Sequence, residues 1–297
     1  MTSQPTNHRR PVAGQRRSHP LTVCMAAIAA LTTGGVAIGD SVVLVTDRDN
    51  TLIQDQFTNL SLGIGPYMFA GRVGPNGEGM LRRAVMRFDI ASAVPAGSTI
   101  TAASLKLWMA GTNSGNQTMV LRRLTRDWGE GNSFAFGGLG APAEEGDATW
   151  QHTFYPTEFW DAPGGDFVSV VSATKTVGGV NFYTWGSTAQ MVLDVQSWLD
   201  NSTANFGWIL TGNESALQTV KKFSTREDEL EANRPRLTIT FTPPPPPNPA
   251  DLNNDGVVDG ADLGLLLAAW NTPGPGDLDN NGVVDGADLG LLLAAWS

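Results

Sequence analysis

From residue 40 to residue 242, apolar side chains recur at every second position in short runs. Ala84, Met86, Phe88 and Ile90 alternate with Val85, Arg87 and Asp89. Ala103, Leu105, Leu107 and Met109 alternate with Ser104, Lys106 and Trp108, and Leu237, Ile239 and Phe241 alternate with Thr238 and Thr240. A period of two puts successive side chains on opposite faces of a strand, so each run predicts a strand with one face on a core. Gly, Asn, Asp and Pro separate the runs and supply the turns. The expectation is a mainly β domain over residues 40–242, with antiparallel sheets stacked on each other. One stretch departs from it: Gln190 to Leu199 is expected to pass from strand into a short helix carrying Val195, Trp198 and Leu199.

The alternation stops at a proline run. Pro243 to Pro247, then Asn248-Pro249, cannot join a sheet ladder and favours an extended spacer. Residues 243–250 are read as a linker and residues 251–297 as a second unit, in which the period becomes helical. Leu263, Leu266, Leu267 and Trp270 fall at i, i+3, i+4 and i+7, and Leu289, Leu292, Leu293 and Trp296 repeat the spacing. The two segments are copies: Asp251 to Trp270 and Asp277 to Trp296 agree at 18 of 20 positions, offset by 26 residues. The two differences, Asn253/Asp279 and Asp255/Asn281, exchange one oxygen-bearing side chain for another.

Ahead of each helix lies a loop with oxygen side chains at positions 1, 3, 5, 9 and 12 and glycine at 6. That spacing wraps a backbone around one hard cation. The first loop offers Asp251, Asn253, Asp255, Asp259 and Asp262, with the Val257 carbonyl and a turn at Gly256. The second offers Asp277, Asp279, Asn281, Asp285 and Asp288, with the Val283 carbonyl and Gly282. Two Ca²⁺ ions are therefore expected. Position 12 is Asp, a shorter arm than the usual bidentate Glu. Val258 and Val284, at position 8, are expected to pair the two loops through a short β contact.

Charge and composition narrow the setting. The net charge is −10, which disfavours nucleic acid or an anionic membrane as partner. Residues 1–39 have the organisation of an export signal. Arg9, Arg10, Arg16 and Arg17 precede an apolar stretch from Leu21 to about Ala30, and Ala37-Ile38-Gly39 offers a small-residue cleavage site before Asp40. The apolar stretch is too short and too polar for a membrane span. Cleavage would remove four arginines, no acid and the only cysteine, deepening the charge to −14 and leaving no disulfide. A secreted or cell-surface bacterial protein with no membrane span after cleavage is expected.

The terminal segment resembles a type I dockerin over essentially its whole length, a small α domain of two EF-hand-like loop–helix repeats. The resemblance implies a cohesin-type or other cell-surface receptor and frequent association with polysaccharide degradation. Cellulosomal dockerins carry a polar pair at loop positions 10 and 11. Here those positions are Gly260-Ala261 and Gly286-Ala287, so with Leu263 and Leu289 they form an apolar candidate docking face. Residues 42–242 resemble the DNRLRE-domain family of secreted modules. The matching pieces include Asp49-Asn50-Thr51-Leu52, Arg82 to Asp89, Asp127-Trp128-Gly129-Glu130-Gly131, Ala148-Thr149-Trp150, Trp160 to Asp166, and Phe223-Ser224-Thr225-Arg226-Glu227. This resemblance implies an antiparallel jelly-roll β-sandwich, with polysaccharide binding among some relatives.

Trp128, Trp150 and Trp160 lie in polar, glycine-rich segments, where indole faces could stack on sugar rings with Asp161 and Asp166 taking hydroxyls. The same residues would equally serve to plug the ends of the sandwich. His152 is the one histidine left after cleavage, so zinc and Ser-His chemistry are poorly supplied. Glu130, Glu144, Glu145 and Asp147 are the carboxylates from which a glycosidase pair would be drawn. The expectation is a non-catalytic module that binds polysaccharide or extracellular matrix. A structural or adhesive surface protein without sugar binding, or a component of a polysaccharide-degrading enzyme, stand as alternatives.

Overall fold

The computed structural model describes residues 39–55 and 59–297. The expected export signal, residues 1–39, lies outside them except for Gly39. Fifteen strands and three α-helices follow. The first strands are β1 (Asp40–Val45), β2 (Arg48–Ile53), β3 (Leu60–Ser61), β4 (Tyr67–Arg72) and β5 (Leu81–Arg87). After them come β6 (Thr99–Thr112), β7 (Gln117–Arg123), β8 (Ala141–Pro142), β9 (His152–Phe154), β10 (Glu158–Phe159), β11 (Ala173–Val177) and β12 (Asn181–Trp185). The helix α1 (Ala189–Asp200) precedes β13 (Trp208–Thr211), β14 (Lys221–Ser224) and β15 (Arg236–Thr242), and α2 (Gly260–Ala268) and α3 (Gly286–Ala294) close the order.

The domain is mainly β. Eleven strands form one curled antiparallel sheet in the order β1-β15-β6-β14-β4-β5-β13-β7-β11, with β12 added to β6 and β2 to β5. The fourteen-residue β6 is its spine and pairs with β12, β14 and β15. Alternation set these registers as the sequence predicts. Ala84, Met86, Phe88 and Ile90 from β5 and beyond, Ala103, Leu105, Leu107 and Met109 from β6, and Leu237, Ile239 and Phe241 from β15 all enter one core. The curl is filled by α1, which buries Met191, Val195, Trp198 and Leu199. The expected helix is present, but the strand expected to lead into it is not: the whole of residues 190–199 is helical, because the Thr188 cap starts the helix ahead of it. Thr188 caps it, accepting from the Met191 N–H at 3.1 Å. Inside, Asp194 accepts from the Trp208 indole at 2.9 Å and from Ser172 Oγ at 2.5 Å, so this buried carboxylate is well supplied with donors.

The sheet is covered on its other face as well. Val85, at an outward position of β5, is fully buried with Leu52, Ile209 and Leu124 beneath Trp128, Trp150 and Trp160. These three indoles come from the long excursion between β7 and β11, which folds back over β2, β5 and β13. Five prolines then carry the chain off β15 through exposed residues 243–248. Ala250, assigned to the linker by sequence, is 4% exposed and packs with the terminal repeats. Among the described residues no helix is long and apolar enough to cross a membrane.

Candidate functional site

The two terminal loops are built bond for bond alike. At position 1, Asp251 accepts from the Asp255 N–H at 3.1 Å and the Gly256 N–H at 2.9 Å, and Asp277 accepts from Asn281 and Gly282 at 3.0 and 2.8 Å. Gly256 and Gly282 sit at φ +93° and +100°, a left-handed region closed to most side chains. Asn254 and Asn280, at position 4, are also left-handed, at φ 59°, a conformation asparagine tolerates better than most residues.

Position 12 ties each loop to its helix. Asp262 is fully buried and accepts from Leu252, Asn253 and Asp259 N–H groups at 2.8, 3.1 and 2.9 Å. Asp288 repeats this with Leu278, Asp279 and Asp285 at 2.7, 3.1 and 2.7 Å. These backbone donors, the Asp259 and Asp285 amides foremost, hold both carboxyls below the usual aspartate range, so they are ionised at neutral pH. These backbone bonds set the position of the short Asp arm relative to the loop and the helix start. Position 9 has a second task. Asp259 and Asp285 are N-caps, accepting from Ala261 and Ala287 N–H groups at 2.8 and 2.7 Å within complete capping boxes.

The two sequence differences compensate each other. In the first loop the Asn253 amide donates to Asp255 at 2.8 Å, and in the second the Asn281 amide donates to Asp279 at 3.0 Å. Each loop keeps one amide and one carboxylate in contact across positions 3 and 5. In the second loop, oxygens of Asp277, Asp279 and Asp288 lie within 4.8 Å of one another. An all-oxygen set of this kind, with carbonyls of Val257 and Val283 in the same loops, fits a calcium ion by donor chemistry.

The loops do not pair through their valines as expected. The Val284 N–H donates to the Thr272 carbonyl and the Val284 carbonyl accepts from Asn271, both at 2.9 Å. Val258 instead meets Ser297. Both valine side chains are buried with Leu266 and Leu292, so the contact between repeats runs through side chains and through residues following each helix. Leu263 and Leu289, expected on the docking face, are half-buried against this core. Gly260, Ala261, Gly286 and Ala287 are exposed as expected. The large apolar groups beside them are Leu265 and Leu267 on α2 and Leu291 and Leu293 on α3, each about half exposed. The seven-residue spacing assigned Leu267 and Leu293 to the buried stripe, whereas the small core between the repeats takes in Leu263, Leu266, Leu289 and Leu292 and leaves Leu267 and Leu293 outside it.

In the β domain, the tryptophans proposed to meet sugar are inside. Trp128 is fully buried, and Trp150 and Trp160 are 8% and 5% exposed. The Trp128 indole donates to the Phe206 carbonyl at 2.8 Å and that of Trp160 to the Thr149 carbonyl at 2.9 Å. Arg48 covers the Trp128 ring and Arg83 the Trp150 ring at 4.8 and 4.9 Å. Asp166 accepts from the Asp161 and Ala162 N–H groups and shapes their turn, while exposed Asp161 pairs with Arg126. These five residues lock the excursion onto the sheet and present no indole face to solvent.

A different aromatic surface is open. Trp108, on the outward side of β6, packs on Phe182 at 4.7 Å. Lys106 lies over Phe182 and Lys222 over Tyr67, at 4.1 and 4.0 Å. Trp108, Tyr67, Phe136, Val180, Asp228 and Glu229 help line a groove of about 430 Å³. The sequence signal was an indole at a polar position of an alternating strand.

Of the four acids from which a glycosidase pair would be drawn, Glu144 and Glu145 are exposed, while Asp147 and Glu130 are engaged in structure. Asp147 accepts from the Glu144 N–H at 2.6 Å, and burial raises its pKa. Glu130 accepts from Arg226 Nε at 2.8 Å and from the Asp49 N–H at 2.9 Å. Burial, and then the charge of Glu227, pushes Asp49 well above the usual carboxylate range, and burial also raises Glu227. Arg87 pairs with Asp47 and joins β5 to the start of β2. No family model and no curated protein matches this chain.

Proposed function

We propose that residues 251–297 form a dockerin-type module that binds two Ca²⁺ ions and tethers an exported, non-catalytic jelly-roll β-sandwich to a cohesin-like or other cell-surface receptor. The observation that carries the reading is the bond-for-bond equivalence of the two loops, including the compensating exchange at positions 3 and 5. An acidic tail under no demand to hold a cation has no need to keep that pairing in both copies. The exposed leucines of α2 and α3, with no Lys or Arg after Arg236, support an apolar docking face rimmed by negative charge.

The β-sandwich is the cargo. Its groove between Tyr67, Trp108 and Phe136 has aromatic faces and flanking carboxylates, the chemistry that receives the C–H face and hydroxyls of a sugar. Polysaccharide or extracellular matrix is its ligand in this reading. Calorimetric titration of the full chain tests the calcium part. The unsubstituted chain should fill both loops, and Asp251→Ala and Asp277→Ala should each remove one ion. Equal uptake by all three proteins would contradict it.

A further inference from the structure

Outside the repeats, one other group of carboxylates converges. Asp49 on β2, Glu130 in the excursion and Glu227 just after β14 each bring an oxygen within 4.8 Å of the other two. Asp49 is fully buried. Its Oδ2 accepts from Thr46 Oγ1 at 2.9 Å and from the Arg226 N–H at 3.0 Å, which leaves Oδ1 for the cluster. That Oδ1 is buried without a hydrogen-bond partner, and so is Glu227 Oε2. A buried polar atom left without a partner costs about 1–3 kcal/mol, and more when charged. Two such atoms on two members of one converging carboxylate group call for a shared partner.

Among the described residues, the cation paired with this group is Arg226. Its Nε lies 2.8 Å from Glu130 and 2.9 Å from Glu227. Three carboxyl groups facing one guanidinium hold more acid than that cation can balance. We propose that Asp49, Glu130 and Glu227 bind a third calcium ion, independent of the terminal loops. The donors are all carboxylate oxygens, with no imidazole or thiolate among them, which favours a hard cation. Calcium accepts an irregular set of six to eight oxygens and completes it with water, whereas magnesium demands a near-ideal octahedron. The three ligands come from β2, from the excursion that carries the buried tryptophans, and from the turn after β14. An ion here staples the excursion to the sheet and stabilises the fold by mass action.

The test uses the full chain carrying Asp251→Ala and Asp277→Ala, which disables the first ligand of each terminal loop. Equilibrium dialysis followed by metal analysis should still find about one calcium per chain, and Glu227→Gln added to this background should weaken binding at least about tenfold. Glu227→Gln is the milder variant because Glu227 is partly exposed whereas Asp49 is fully buried, and its melt in chelator verifies folding. Asp49→Asn should act in the same direction. Without an ion in the site, both substitutions relieve like-charge repulsion, so neither should lower the chelator melt. The proposal is overturned if the background chain binds no calcium at millimolar concentration, or if its binding survives both substitutions. Loss of all calcium in the background, with two ions on the unsubstituted chain, sinks this site and leaves the terminal loops standing. A single ion on the unsubstituted chain that Glu227→Gln removes does the reverse.

Discussion

Ser297 donates its N–H to the Val258 carbonyl at 3.2 Å and accepts the Val258 N–H on its hydroxyl at 3.0 Å. Asn271 stands 26 residues earlier, at the equivalent place after the first helix, and donates to Val284 in the opposite loop. Each repeat therefore supplies the residue after its helix to the other repeat's loop. The arrangement makes the two loops mutually dependent around a core as small as Val258, Leu266, Val284 and Leu292. Val284→Ala leaves the backbone bonds in place and removes only buried methyl groups, at a cost of about 1–3 kcal/mol. Both loops should then bind calcium more weakly, not the second alone, as calorimetry with the single-loop variants will read.

The docking face should be duplicated because the repeats are. Ala261→Arg alone or Ala287→Arg alone should change affinity for the surface receptor little, since rotation by about half a turn presents the other copy. The double variant should abolish binding, because each face then buries an unpaired charge. Complete loss in either single variant, measured by binding to isolated envelope with calcium present, would mean that one repeat alone docks.

Sugar binding and stability should separate by aromatic residue. Trp108→Ala should weaken retention on a polysaccharide that binds the protein and leave the melt near that of the unsubstituted chain, because Trp108 is on the open face of β6. Trp150→Ala should do the opposite and cost about 3–5 kcal/mol in stability, as expected for a buried large aromatic. Affinity electrophoresis and urea melts on the two variants distinguish the roles.

The strand positions were legible because alternation is local: a single run such as Ala103 to Met109 carries its own register. The conformation of the two terminal loops was legible for the same reason, since the oxygen side chains and glycine that shape each loop lie within twelve residues. The excursion was not. Whether Trp128, Trp150 and Trp160 face water depends on a sheet face formed by Leu52, Val85 and Ile209, which come from three distant strands. Val85 among the supposedly outward residues of β5 was the available signal. Asp49, Glu130 and Glu227 each fall in a piece singled out by sequence, yet only the folded chain brings them together. Leu267 and Leu293 were misassigned because helical periodicity does not say how wide a face the neighbouring repeat will cover.

His152 gives the β domain a pH dependence of known sign. It is buried beside Phe159 and Tyr155, with a ring nitrogen 2.9 Å from Thr149 Oγ1, and burial holds its pKa below the ordinary histidine value. Below about pH 6.5 the unfolded chain takes a proton that the folded chain resists. The contribution to stability is complete above that pH and declines as the pH falls toward the depressed folded value. Urea melts should therefore show a loss between neutral and mildly acidic pH that His152→Gln reduces.

The central claim is that calcium organises residues 251–297, and hydrogen exchange on the full chain reads it most directly. With saturating calcium, the amides of Leu252, Asn253, Asp259 and their counterparts Leu278, Asp279 and Asp285 should be protected by the position-12 carboxylates. In chelator, repulsion among the loop carboxylates has little core to oppose it, and protection across α2 and α3 should collapse while β6 and β15 keep theirs. Unchanged exchange across residues 251–297 on removing calcium would contradict the account.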